Sequence, residues 1–252
     1  MLSVRVMPCL LLKDVALVKT VKFDAPNYIG DPANAIKIYN EKEVDELIVV
    51  DITATREKKR PNFEKIEQIA SECFMPLAYG GGIRDMADAK RLFTLGVEKV
   101  AVNSYAVERP AFIRELADQF GSQAVVVSID AKRTRAGYEV MTESGTRPTG
   151  KDPARFAAEM EQAGAGEILI NAIDRDGTMQ GYDVALIRSV TRAVGVPVIA
   201  LGGAGKVEHF TQAVKEGGAS AVAAGSMVVY YGRNNAVLIN FPSRKKLVAA
   251  LT

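Results

Sequence analysis

Asp130 is the residue in this sequence best placed to move a proton. It closes the run Gly121–Arg133, GSQAVVVSIDAKR, in which small and β-branched residues precede one carboxylate. Such a run reads as a strand buried on both faces, with a functional side chain at its carboxyl end. A carboxylate held there serves as general acid or base once its surroundings tune its pKa. The plainer reading is a carboxylate satisfied by a neighbouring lysine or backbone amide. Asp51, Asp174 and Asp176 lie at or just past other strand ends. Asp176 sits in the loop DRDGTMQGY, where a turn role competes. The matching end of the first strand carries Leu11, which can neither give nor take a proton.

Small residues gather at other strand ends. Gly81-Gly82 with Asn103-Ser104 form one set, and Gly202-Gly203 with Gly225-Ser226 form a second. Glycine lets backbone approach an anion closely, and free N–H groups at helix starts bind phosphate. Two facing sets predict a substrate with a phosphate at each end; the alternative is that these glycines only turn the chain. Asn171, at a strand end, and Gly177, in the DRDGTMQGY loop, complete the candidate substrate set. Lys19 could reach such a phosphate, although a solvated loop lysine is as good a reading.

A third group lies at the opposite ends of the strands. Arg5, Glu46, Lys99 and Glu167 fall near the starts of strands one, two, four and six. Two positive and two negative groups there form either a functional ring or ordinary stabilising ion pairs. His209 is expected on the surface of a helix and not as a base. Cys9 and Cys73 are too few for a disulfide framework or metal site and read as two buried, reduced thiols.

The elements that position these residues follow from the pattern. Eight apolar runs read as strands: Val4–Leu12, Glu46–Asp51, Met75–Tyr79, Glu98–Val102, Ala124–Asp130, Glu167–Asn171, Pro197–Leu201 and Ser220–Ala224. Helical stretches follow most of them, at about 32–44, 62–73, 85–95, 110–120, 152–163, 183–194, 206–216 and 243–251. Residues 13–31 read as a long loop, and GYEVMTESG as a small hairpin over the top. Eight such units in 252 residues are the size and rhythm of a single (β/α)8 barrel spanning 1–252, with a doubly wound sheet as the alternative. Glu46, Pro76, Gly81 and Gly82 recur at Glu167, Pro197, Gly202 and Gly203, each 121 positions later (167−46, 202−81), which predicts a duplicated half-barrel.

The net charge of +2, from 32 basic and 30 acidic residues, implies no general attraction to nucleic acid. No apolar run is long enough to span a bilayer. The N-terminus MLSVRVMPCLLLKD lacks a basic region and a cleavage site, and reads as a strand, not a signal peptide. A cytoplasmic protein is the default expectation.

The segments DELIVVDITA, YGGGI, FGSQAVVVSIDAKR, GAGEILINAIDRDGT and GGAGKVEHF together resemble the cyclase subunit of imidazole glycerol phosphate synthase, the HisF family. The resemblance implies a (β/α)8 barrel that holds a diphosphate substrate across its top, with no cofactor. A glutaminase partner of the HisH type would dock at the N-terminal face and pass ammonia through the barrel. It implies that Arg5, Glu46, Lys99 and Glu167 gate the ammonia entrance, and that Asp130 is one of two catalytic aspartates. It puts Lys19, Gly82, Asn103, Asp176, Gly203 and Ser226 at or beside substrate positions.

The second catalytic aspartate of that pattern, Cys-Leu-Asp-Val-Lys, is replaced in Cys9-Leu10-Leu11-Leu12-Lys13. Leu201 stands where the family generally has a small polar residue, and residues 230–243 differ from the usual ending. The PCLLLKD start, the NEKEVDELIV stretch and the AVLINFPSR tail resemble a side branch of the family. That branch is associated with surface-polysaccharide pathways that convert an acetamido into an acetamidino group. This resemblance implies a further partner, an ATP-using amidotransferase-like protein. Three readings stand: a subunit for acetamidino-sugar formation, a true cyclase of histidine biosynthesis, and a non-catalytic ammonia conduit.

Overall fold

The computed structural model describes residues 4–232 and 234–252. Met1–Ser3, which open the apolar N-terminal stretch, and Arg233, in the divergent C-terminal segment, lie outside them. Eight parallel strands form the frame: β1 (Arg5–Lys13), β2 (Leu47–Asp51), β3 (Leu77–Gly80), β4 (Lys99–Val102), β5 (Val125–Thr134), β6 (Glu167–Ala172), β7 (Val198–Leu201) and β8 (Ala221–Ala224). Each pairs with the next, β8 pairs with β1, and the sheet closes into a barrel. These are the apolar runs of the sequence, because strands covered on one face by helices and on the other by the barrel interior meet no water.

Eight helices cover the outside: α1 (Pro32–Glu41), α2 (Phe63–Glu72), α3 (Met86–Thr94), α4 (Ala111–Phe120), α5 (Pro153–Gln162), α6 (Val184–Thr191), α7 (Val207–Lys215) and α8 (Arg244–Leu251). Several start where an acid can cap them. Asp31, Asp85, Asp152 and Asp183 accept hydrogen bonds from the amides of Ala33, Asp88, Arg155 and Leu186. The half-barrel repeat holds at the level of elements, since β7 and α7 begin 121 positions after β3 and α3 (198−77, 207−86).

Residues 13–31 correct the sequence reading: they hold no long loop. Ala16–Val21 and Asp24–Gly30 form an antiparallel hairpin that also pairs with the end of β1, Leu11 opposite Val18. Its turn places Lys22 and Phe23 at φ of 53° and 66°. Glycine or asparagine usually marks such a turn, so Lys-Phe carried no signal. The hairpin reaches across the top, where Lys22 donates its N–H to the Asp176 carbonyl at 2.9 Å. The expected second hairpin is present: Gly137–Thr142 pairs with the extended end of β5. The Glu143 N–H donates to the Ser104 hydroxyl oxygen and the Ser144 hydroxyl donates to the Ile52 carbonyl, which pins this hairpin to the barrel rim.

Met7, Cys9, Ile48, Ala78, Ala101, Val126, Leu169, Ile199, Leu201, Ala221 and Ala223 fill the barrel interior as one apolar cluster. The larger cluster lies between sheet and helices. No helix of the described residues is long and apolar enough to cross a membrane.

Candidate functional site

The C-terminal ends of the strands surround a cavity of about 210 Å³. Asp130 stands in its wall with Leu11, Lys19, Asn103, Asn171 and Asp176. The sequence repeats explain why these meet: they end or follow β1, β4, β5 and β6, and barrel closure brings those ends to one mouth.

Asp130 is held by two amides. Asn103 donates to its Oδ2 at 3.2 Å and Asn171 to its Oδ1 at 3.4 Å. Burial raises its carboxyl from 3.8 to about 7, Asp176 adds to the rise, and the Asn171 bond works against it. The group therefore titrates near neutrality, where an acid or base is most useful. The Asn171 Oδ1 is buried and meets no donor. A proton on Asp130 could satisfy it after a turn of the amide, which fits a carboxyl that is half neutral.

Asp176 is also raised by burial, an effect opposed by Lys19 and by the Thr20 hydroxyl, which donates to it at 3.5 Å. The two remaining strand-end acids are committed elsewhere. Asp51 Oδ1 accepts from the Thr53 N–H, the Thr53 hydroxyl and the Ala54 N–H. Asp174 accepts from the Arg133 N–H at 2.7 Å.

Lys19 is not a solvated loop lysine. It is 4% exposed, with its Nζ 3.4 Å from the Cys9 carbonyl. Gly225 makes room for it, since a Cβ there would stand 2.0 Å from that Nζ. Cys9 lies beneath with its thiol pushed up to about 12, chiefly by burial, so it is no nucleophile. Leu11 lines the cavity half-buried, and Leu201 forms part of its apolar base.

The two glycine sets are not equivalent. Gly81, Gly82, Asn103 and Ser104 line the cavity with Asp130. Gly202, Gly203, Gly225 and Ser226 are not on its wall, and neither is Gly177. The loop after β6 packs against Gly203: the Gly181 N–H donates to the Gly203 carbonyl at 2.7 Å, and a Cβ on Gly203 would meet the Gly181 oxygen at 2.3 Å. Gly177 packs under the first hairpin, where a Cβ would lie 2.2 Å from the Thr20 oxygen.

Two further expectations are corrected. His209 is 9% exposed, not a surface residue, and its Nδ1 accepts from the Gly205 N–H at 3.1 Å. Burial, with Lys206 nearby, lowers its pKa and keeps it neutral. Cys73 is half-buried, its thiol donating to the Met75 carbonyl. Sequence reasoning missed Thr20, Phe23, Arg56, Arg84 and Ser144 on the cavity wall. Of these, Arg56 and Arg84 offered a signal, as arginines just past strand ends.

At the other end of the barrel the four charged residues form a closed ring. Arg5 bonds Glu46 at 2.5 Å and Glu167 at 2.6 Å; Lys99 bonds Glu46 at 2.9 Å and Glu167 at 3.2 Å. Each cation thus holds both anions. Burial alone would lower the Arg5 pKa, but Glu167 and Glu46 outweigh it and raise it. Between ring and cavity lies the apolar interior around Met7, Ile48, Val126 and Ile199.

Fold and site define a class: a (β/α)8 barrel of two repeated halves, with buried carboxylates of raised pKa at its mouth and an ion-paired ring at its floor. The family model described as histidine biosynthesis protein matches residues 5–235. The chain is 52% identical over 244 residues to a Pseudomonas aeruginosa protein provisionally named imidazole glycerol phosphate synthase subunit HisF2, covering 96% of this chain and 97% of that one. A Leptospira borgpetersenii protein provisionally named as the HisF subunit is 49% identical, covering 96% of each chain. A Vibrio vulnificus protein provisionally named HisF3 is 44% identical, covering 100% of this chain and 97% of its own. The chain belongs to the histidine biosynthesis protein family and is a HisF-type member of it.

Proposed function

We propose that this barrel is the synthase-type subunit of a glutamine-dependent amidotransferase complex that forms an acetamidino group on a sugar nucleotide. A HisH-type glutaminase docks at the N-terminal face. Ammonia enters past Arg5, Glu46, Lys99 and Glu167 and crosses the apolar interior. A separate ATP-using protein activates the acetamido oxygen as a phosphoryl or adenylyl ester. Ammonia attacks the amide carbon, the C–O bond to the activated oxygen breaks, and that oxygen leaves with its phosphorus. Asp130, whose carboxyl burial raises to about 7, takes the proton that the attacking nitrogen must lose.

The observation that carries this reading is Leu11. It faces the cavity where a second proton-handling group would be needed for ring-forming chemistry. The glycine cradle at Gly81 and Gly82, with Asn103 and Ser104, supports a phosphorylated small-molecule substrate.

A second reading, an authentic cyclase, would require another carboxylate to take the place of the one missing at Leu11. Asp176 is near enough to Asp130 to raise its pKa, and could stand in for the missing carboxylate. Two experiments separate the readings. The first co-expresses the barrel with its glutaminase and the ATP-using protein, and follows glutamine-dependent conversion of acetamido sugar nucleotides by mass spectrometry. The second asks whether the gene rescues a histidine auxotroph lacking its own cyclase. Rescue at near wild-type growth rate, with no sugar product, would sink the proposal.

A further inference from the structure

Among the described residues, three strong cations on the cavity wall make no direct ion pair. Lys13 ends β1, Arg56 follows β2 and Arg84 follows β3, so they occupy three adjacent strands on one side of the mouth. Among the described residues none of the three lies within 4.0 Å of a carboxylate oxygen, whereas their neighbours Lys59 and Arg60 are paired, to Glu57 and Asp88. Arg84 Nη2 donates to the Thr55 carbonyl at 3.2 Å, which ties it to the backbone next to Arg56. The Glu57 carboxyl is held low first by its bond to Lys59, and Lys13 and Arg56 both add to the effect. The carboxylates on the same wall are Asp51, Glu108, Asp130 and Asp176. Asp51 is spent in its turn, and Asp130 and Asp176 belong to the deeper part of the site with Lys19.

The size of the cavity says what such a rim is for. At about 210 Å³ it falls below the roughly 300–1,000 Å³ of pockets that enclose a drug-sized ligand. A nucleotide-linked sugar cannot be swallowed whole. With its sugar beside Asp130, the rest of the molecule must leave across the rim. Arginine matches phosphate with paired N–H donors, and two arginines and a lysine give three positive charges to a diphosphate.

We infer that Lys13, Arg56 and Arg84 form an anion-binding rim, separate from the Gly81–Gly82 turn, that holds the diphosphate of a nucleotide-linked acceptor. This rests on the acetamidino-sugar reading for the identity of the acceptor. The rim itself rests on the unpaired cations and the size of the cavity.

The test is calorimetric titration of the full chain with UDP, inorganic pyrophosphate, inorganic phosphate and uridine at low ionic strength. UDP and pyrophosphate bind, phosphate binds more weakly, and uridine alone does not. The double variant Arg56→Gln/Arg84→Gln weakens UDP and pyrophosphate binding about 10-fold or more, with an unchanged melting temperature. Lys13→Gln gives a smaller loss in the same direction and stands in if the double variant fails to fold. UDP and pyrophosphate bound equally by wild type and variants, or not bound by the wild type at millimolar concentration, overturn the rim. Uridine bound as tightly as UDP does the same. The complex assay keeps the two ideas apart. Acetamidino product formed with unchanged KM by the double variant refutes the rim and leaves the amidotransferase reading intact. Diphosphate binding lost in the variants, with no sugar product from the wild type, refutes that reading and keeps the rim.

Discussion

Replacing Asp130 by asparagine makes the protein more stable at neutral pH, by a margin that grows as pH rises towards about 7. The unfolded carboxyl titrates near 3.8 and the folded one at about 7. Below the lower value both states are protonated and burial costs nothing. Between the two, the unfolded chain releases its proton while the folded one keeps it, so stability falls as pH rises. Above about 7 the loss is complete. At about 1.4 kcal/mol for each pH unit, a rise from 3.8 to about 7 costs the folded state about 4 kcal/mol as a ceiling. Asparagine never ionises and escapes this loss. It gives up part of the hydrogen bonding, because Asn103 and Asn171 both donate to Asp130 and the amide has one acceptor oxygen. That penalty, about 1 kcal/mol, is the same at every pH. Comparing two pH values removes it. From pH 5 to pH 8 the stability gap between Asp130→Asn and wild type widens by about 2–3 kcal/mol in favour of the variant. Urea titrations at the two pH values measure this through the midpoints, provided the slopes agree. A gap that stays constant or narrows would show that Asp130 is ionised throughout, and would remove the basis for assigning it proton transfer.

The remaining predictions concern other parts of the barrel. Glu46→Gln leaves Arg5 and Lys99 sharing Glu167 alone; thermal denaturation should show a loss of roughly 1–3 kcal/mol, and the complex should hydrolyse glutamine without matching product. Leu11→Asp places a second carboxyl near Asp130, so the pH profile of product formation should move to higher pH, and a histidine auxotroph should grow faster if only this residue blocks the cyclase reaction. Gly225→Ala drives Lys19 from its place and should raise KM with little loss of stability, because the displaced atom ends a flexible side chain. Lys22→Gly relieves a left-handed residue at φ 53° and should stabilise the chain by up to about 1 kcal/mol in urea denaturation.

The barrel was legible because burial on both faces leaves a strong mark: VVVSI and LIVV have few other homes than a closed parallel sheet. The floor ring was legible for a related reason, since a charged residue opening an apolar run must sit at the strand's starting end. The mouth was harder. The first hairpin turns through Lys22 and Phe23, side chains with no affinity for that conformation, so only tertiary contacts reveal it. Lys19 looked solvated because its burial depends on Gly225, more than two hundred positions away. His209 looked like a surface residue because the loop that covers it, around Gly181, has no periodicity. The glycines of the second half repeat those of the first in sequence. Their settings match as well: the loop after β2 lies against Gly82 as the loop after β6 lies against Gly203.

The ring at the barrel floor has one more consequence. Going round the strands, its charges run positive at Arg5, negative at Glu46, positive at Lys99 and negative at Glu167. Such an arrangement has no monopole and little dipole; its leading field is quadrupolar and dies away steeply with distance. Solution ammonium is therefore neither drawn to the opening nor turned away by it from afar. On the proposed route, discrimination passes to the dry stretch above, which a neutral molecule can cross and a hydrated ion cannot without shedding its water.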